Sequence, residues 1–323
     1  MTRTSEGDRA RRTSFAPYCP GRAVSRLAPR LPAVIALAAA LACGSDSPPP
    51  STPTPTPPPP QAPTTAYLAG AGDIADCTVP FAAATGKLLD SFVGTVFTVG
   101  DNVYPTGSAE SFATCYEQTW GRHVYRTRPT AGNHEYAVAG AEPYFRYFGS
   151  AAGSPSAGYY AFDAGNWRVL VLNTNVPINT GSVQYAWVQT ELASNAAPCT
   201  LVLMHHPLFS SSEHGPQTFV RDVWRVLYQY GVELVLSGHD HDYERFAPQD
   251  PDGRADPGRG VRQFVVGTGG APTYSLARSL PNSELQASVH GVLKLVLQST
   301  SYSWQFVSIP GQSFGDSGTG ACR

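Results

Sequence analysis

Lysine is almost missing from this 323-residue chain: it occurs twice, against twenty arginines. The skew reads as the mark of a GC-rich genome, not of a function. Charged residues make up only 14%, while 42% are hydrophobic and 11% aromatic. That is too little charge for a disordered or coiled-coil protein, and enough apolar surface for a large core. The apolar run at residues 31–42 has 12 residues, short of the ~20 that a membrane-spanning helix needs. No basic stripe with interleaved aromatics is present, and the net charge is −2. Seven arginines against two acids put +5 on residues 1–42, which leaves −7 on the rest. A mildly acidic body argues against nucleic acid or anionic membrane as its main partner. One globular domain with appendages is the expected organisation, with no repeat and no second domain boundary.

The run LPAVIALAAALA follows Arg26 and Arg30 and ends at Cys43-Gly44-Ser45, the make-up of a secretory signal peptide. Cysteine directly after Leu41-Ala42 resembles a bacterial lipobox, with Ala40 where leucine is usual. Residues 1–43 are therefore expected to be a signal peptide whose Cys43 becomes lipid-anchored, with plain secretion as the alternative. A translation start at Val24 would give a leader of more ordinary length. Ten prolines fall within residues 48–63. Such a tract favours polyproline II at roughly 3.1 Å per residue, so residues 44–65 read as a semi-rigid linker before a domain at 66–323. The expected location is the outer surface or periplasm, with membrane contact only through the lipid.

Setting aside Cys19 and Cys43, four cysteines remain: Cys77, Cys115, Cys199 and Cys322. An even number in an exported domain suggests two disulfides. Of three pairings we favour Cys77 with Cys115 and Cys199 with Cys322. The first two each follow a candidate ligand loop, and Cys322 would staple the chain end onto the strand beginning at Cys199. Free buried thiols are the alternative.

Several short apolar runs stop at a polar residue of metal-binding type. Tyr67 to Ala71 leads to Asp73, Val96 to Val99 to Asp101, Leu201 to Met204 to His205, and Val232 to Leu236 to His239. These read as buried strands. Between them, Val220, Val223, Trp224 and Leu227 have helical spacing with Gly231 as a stop, and Tyr185 to Leu192 reads similarly. Strands alternating with helices imply an α/β core with ligands beyond the carboxyl ends of the strands. Gly158 to Asn173 reads as a hairpin around Gly165-Asn166, and further strands are expected at 263–266, 292–297 and 303–309.

The ionisable and ligating residues that need explaining are Asp73, Asp101, Tyr104, Asn133, His134, His205, His206, His214, His239 and His241. Oxygen donors from Asp73, Asp101, Tyr104 and Asn133 with imidazoles from His205, His239 and His241 make a mixed set without thiolate. It suits zinc, iron or manganese better than a structural cysteine site or a calcium cage. Seven ligands are too many for one tetrahedral ion and suit two ions sharing a carboxylate. His205 and His206 are adjacent on a strand, so at most one is expected to reach a given site. His239 and His241, two apart, are expected on one side. His206 is read as structural or as a neighbour supporting the ligands, and His123 and His290 as structural or surface groups. Asp250 to Asp256 has part of a calcium-loop spacing without its closing Glu and reads as a solvated loop. Gly267-Thr-Gly-Gly reads as a tight turn beside the site, and Tyr159 and Tyr160 as packing residues.

The ordered series GDIA at 72, GDNVY at 100, GNHE at 132, VLMHHP at 202, SEHGP at 212 and GHDHDYER at 238 resembles the metallophosphoesterases, in particular the small single-domain purple acid phosphatases. The resemblance covers residues 66 to 323. It implies an α/β fold, a four-layer αββα sandwich of two mixed β-sheets flanked by helices, with a dimetal site at the strand carboxyl ends. It implies ferric iron at a first site of Asp73, Asp101, Tyr104 and His241, and iron, zinc or manganese at a second of Asp101, Asn133, His205 and His239. His134 and His214 match the residues that meet the phosphate and protonate the leaving group. The implied activity is hydrolysis of small-molecule phosphate monoesters by a metal-bound hydroxide; no protein partner is expected. Ala75 departs from the pattern, which has Gly in the purple acid phosphatases and His elsewhere. Without that imidazole, Tyr104 is placed to complete the first site. The alternatives are a phosphodiesterase or nucleotide hydrolase on the same site, and a catalytically silent, metal-stabilised binding module.

Overall fold

The structure, a computed structural model, describes residues 65–276 and 278–323. The leader, Cys43 and the proline tract lie outside these residues. Along the chain come β1 (Ala66–Ala71), β2 (Thr95–Thr98), β3 (Thr127–Arg128), β4 (Tyr160–Ala164), β5 (Trp167–Val171), β6 (Cys199–Leu203) and β7 (Leu234–Ser237). Then follow β8 (Tyr243–Phe246), β9 (Arg262–Val266), β10 (Ser283–Ala287), β11 (Gly291–Leu297), β12 (Ser301–Ser308) and β13 (Gly315–Ala321). They build two mixed sheets, ordered β13-β12-β11-β1-β2-β3 and β10-β8-β9-β7-β6-β5-β4.

Side-chain alternation decides how the sheets stack. Leu68, Phe97, Leu293 and Leu295 of the first sheet meet Val169, Val171, Leu201, Leu236 and Phe264 of the second in one buried cluster. Each such fully buried side chain stabilises the fold by roughly 1.5–3 kcal/mol. The alternate residues face outward. Ala69, Ala71 and Val96 pack beneath Ala82, Phe112, Tyr116, Trp120 and Tyr144, while Leu170, Val202 and Val235 pack beneath Val188, Leu192, Val223, Trp224 and Leu227. The layers therefore run helix, sheet, sheet, helix, which is the expected αββα sandwich.

Helix Val183–Ser194 starts where the Ser182 hydroxyl accepts the Tyr185 N–H, a side-chain cap. Helix Arg221–Gln229 buries Val223, Trp224, Val226 and Leu227. The chain turns away after it at Gly231, whose φ of +71° is left-handed. The Gly165-Asn166 turn joins β4 and β5 as a hairpin. Strands β8, β10 and β13 had no clear apolar pattern in the sequence. β13 is held instead by its ladder to β12 and by the Asp316 carboxylate, which accepts hydrogen bonds from Tyr243, Arg245 and Trp304. Cys77 pairs with Cys115 and Cys199 with Cys322, at Cα separations of 5.2 and 5.6 Å, as favoured above. Two disulfides fit an oxidising compartment.

Candidate metal centre and catalytic site

β1, β2 and β3 are parallel in one sheet, and β6, β7 and β9 are parallel in the other. The carboxyl ends of β1, β2, β3, β6 and β7 lead into Asp73, Asp101, Asn133-His134, His205 and His239. The loops are tied to one another through the backbone: Gly72 N–H to Val266 O at 2.9 Å, Asp73 N–H to Gly100 O at 3.0 Å, and Gly238 N–H to His205 O at 3.0 Å. Asp73, Asp101 and His239 have φ of +57°, +48° and +73°. A left-handed backbone costs a residue with a side chain about 1–2 kcal/mol, and such strain clusters at functional sites. At position 132 only glycine fits, since a Cβ would stand 2.1 Å from Asp101 Oδ1.

The side chains gather in two sets. Around the Tyr104 hydroxyl lie Asp73 Oδ1 at 2.9 Å, His241 Nε2 at 3.0 Å and Asp101 Oδ2 at 3.2 Å. Around Asn133 Oδ1 lie His205 Nε2 at 2.9 Å and His239 Nδ1 at 3.0 Å. Asp101 Oδ2 is also 3.3 Å from His205 Nε2, so a single carboxylate oxygen borders both sets. All seven candidate ligands thus meet in one place. His205 Nδ1–H donates to Val99 O at 2.9 Å and His241 Nδ1–H to Pro272 O at 2.8 Å, bonds that orient each ring and turn Nε2 inward.

Two buried carboxylates, Asp73 and Asp101, put negative charge at the centre of the site. Burial pushes the His205 imidazole down, but the Asp101 carboxylate outweighs it and raises the ring to about 9. Burial together with Asp101 and Asp73 drives the Tyr104 phenol well above its ordinary value. The His205 shift reports a local demand for positive charge that bound cations would meet, whereas burial and the neighbouring imidazoles push His239 and His206 down. Two carboxylates, a phenol, an amide oxygen and three imidazoles suit zinc, iron or manganese.

His134 and His214 flank this cluster. The His134 N–H donates to Asp101 Oδ1 at 2.9 Å and its Nδ1–H to Pro105 O, leaving Nε2 3.7 Å from Asp101 Oδ2. The His214 N–H donates to Asp240 Oδ1 at 2.8 Å, its ring stacks on His239 at 4.3 Å, and its Nε2 is 3.1 Å from the Tyr274 hydroxyl. Tyr274 stacks in turn on His241 at 4.2 Å. Tyr274 and Asp240 escaped the sequence reading: Tyr274 sits in a segment without a motif, and Asp240 was passed over between two histidines. Glu135 was likewise passed over. Its buried carboxylate accepts the N–H groups of Gly132 and Asn102 at 2.7 and 2.8 Å, and burial with the nearby Asp101 charge pushes it up to about 7.

One expectation is corrected. β6 ends at Leu203, so strand alternation no longer governs residues 205 and 206. A ring nitrogen of His206 lies within 4.8 Å of those of His205 and His239; both neighbours face the site. His123 bonds Gly86 O and His290 bonds Ala271 O, while Asp250 caps its own loop by accepting the N–H groups of Asp252 and Arg254. Gly267 lies against Asp240 and Asp73, Tyr159 packs on Trp187, and Tyr160 donates to Pro129 O.

The calcineurin-like phosphoesterase family model matches residues 68–243. The chain belongs to that family. Among curated proteins, this calcineurin-like phosphoesterase is similar to purple acid phosphatase 23 of Arabidopsis thaliana, 32% identical over 145 residues, covering 39% of the chain and 32% of the relative. An uncharacterized Mycobacterium tuberculosis protein is 31% identical over 204 residues, covering 50% and 39%. The chain thus spans from about a quarter to two fifths of the length of the curated relatives it matches. Among solved structures, a purple acid phosphatase from yellow lupin seeds superposes with a TM-score of 0.71 at 22% identity, covering 81% of this chain and 55% of that one. GAP50, the anchor in the inner membrane complex of Plasmodium, gives 0.62 at 14% identity over 78% and 88%. At these identities the likeness is one of fold, and function must be argued from the site.

Proposed function

We propose that this calcineurin-like phosphoesterase is an exported, two-metal hydrolase of small-molecule phosphate monoesters. The observation that supports it best is the meeting of two donor sets at Asp101 Oδ2. Asp73, Asp101, Tyr104 and His241 would hold the first ion, ferric iron in keeping with the phenol; Asp101, Asn133, His205 and His239 would hold the second, iron, zinc or manganese. When bound, such ions lower the pKa of water and offset charge on a phosphoryl group. The chain's own residues do the rest. His134, anchored to Pro105 O, turns Nε2 toward the phosphate oxygens. His214, held by Asp240 and Tyr274, gives a proton to the departing alkoxide. Export is supported by the two disulfides, and lipid attachment at Cys43 rests on the sequence alone.

The test is hydrolysis of p-nitrophenyl phosphate by the full chain across pH, loaded with iron plus zinc or manganese, with a chelated control. Turnover that needs metal, and a visible absorption band absent from Tyr104→Phe, is the expected result. Turnover of bis-esters alone would move the assignment to a phosphodiesterase. Two bound ions without turnover of any phosphate ester would move it to a binding module.

A further inference from the structure

His206 is used by nothing described so far, yet it is built like a working residue. Its backbone N–H donates to the Thr174 hydroxyl at 3.3 Å, and the same hydroxyl is 2.7 Å from its Nδ1. A hydroxyl that accepts from the backbone has its own hydrogen to give. Donated to Nδ1, that hydrogen satisfies both groups and puts the ring proton on Nε2. Among the described residues Nε2 has no hydrogen-bond partner. It belongs to a ring packed at 4.8 Å from His205 and 4.4 Å from His239, with a ring nitrogen inside the cluster they form. Phe219 also packs edge-on against the ring at 5.2 Å. The residue is nine-tenths buried, so the ring has little freedom to turn away.

We infer that His206 is a further catalytic residue, whose Nε2–H donates a hydrogen bond to an oxygen of the bound phosphate ester and keeps it on the product phosphate. The inference rests on the phosphoesterase reading of the same site. Thr174 is then its positioning residue, setting the tautomer through Nδ1. A hydrogen bond to a charged oxygen changes affinity or rate by roughly 10- to 100-fold.

The experiment uses the metal-loaded full chain and three variants, His206→Ala, His206→Gln and Thr174→Val, with inorganic phosphate as the probe. Metal content, the dissociation constant for phosphate by calorimetry, and kcat/KM for p-nitrophenyl phosphate are measured for each. Support is a His206→Ala variant that keeps its two ions, binds phosphate more weakly and loses kcat/KM by about the same factor. His206→Gln, which retains an N–H donor of similar reach, should recover part of both, and Thr174→Val should weaken both less than His206→Ala. Loss of an ion from His206→Ala would overturn the inference by making His206 a ligand. Phosphate affinity and kcat/KM equal to those of the unmodified chain would overturn it by making His206 packing alone; if the alanine variant fails to fold, the glutamine and valine variants decide between the same outcomes. If the unmodified chain binds phosphate without turning over any ester, the functional reading fails and the affinities still decide on His206. If it does not bind phosphate, both fail.

Discussion

Replacing His214 by alanine is expected to slow hydrolysis of alkyl phosphates by about 10²- to 10⁴-fold, the usual contribution of a positioned general acid. By transition-state arithmetic this is about 2.7–5.4 kcal/mol. The geometry says why the loss should fall on chemistry and not on the fold. The loop is held through the His214 backbone, by its N–H on Asp240 Oδ1 and its carbonyl accepting from Gln217, and alanine keeps both. The imidazole touches the cluster only by stacking on His239 and by its bond to Tyr274, so metal content should not change. The decisive assay compares leaving groups. An alkoxide such as that of glycerol phosphate needs a proton to depart, whereas p-nitrophenolate is a stable anion that leaves without one. The factor lost should therefore be far larger for the alkyl ester. Equal loss on both esters, or loss of an ion, would refute the assignment of His214 as proton donor.

Asp101→Asn keeps an oxygen for the His134 N–H but removes the charge between the two donor sets, so the variant should retain fewer than two ions per chain by atomic emission; two ions retained would count against a shared carboxylate. Removing the Cys199–Cys322 disulfide, with a separation of 123 residues, should cost about 5 kcal/mol in urea unfolding, against about 4 kcal/mol for Cys77–Cys115 with 38. Because Cys199 lies at the start of β6, far along the strand from His205, the first loss should leave turnover of the folded protein intact. Asp316 is pushed upward by burial, but its bonds to Arg245, Tyr243 and Trp304 outweigh this and hold it below 3.8. A carboxyl with a depressed folded-state value stabilises the fold above its unfolded value, and the contribution disappears as pH falls through the folded one. The stability gap between the unmodified chain and Asp316→Asn should thus be constant near neutrality and shrink below pH 3.8; a gap independent of pH would show that packing, not charge, holds β13.

Much of the site was legible because its chemistry sits where apolar runs stop. Asp73, Asp101, His205 and His239 each follow a buried strand, and parallel strands in one layer must end on the same side. What could be read from the chain weakens where no local rule applies. Tyr274 is held at the site by its own N–H on His241 O at 3.0 Å, and its segment lies over the His214 loop through bonds from Arg278 to Ser211 O and Ser212 O. β13 has no apolar alternation and takes its place from a hairpin ladder to β12 and from the Asp316 carboxylate, which reaches Tyr243 and Arg245 far back in the chain. The opposed faces expected of His205 and His206 follow from a pleat that stops at Leu203.

Residue order alone determined the strand and helix periods and the spacing of the ligands along the chain, because each depends on neighbours a few positions apart; the four layers were implied by the resemblance that the ordered motifs carry. Only the folded chain decided that one oxygen of Asp101 lies between two donor sets, that Thr174 pairs with Nδ1 of His206, and that Tyr274 and Asp240 hold His214. Those facts depend on side chains tens to more than a hundred residues apart coming within hydrogen-bond distance, and no local pattern encodes such a distance.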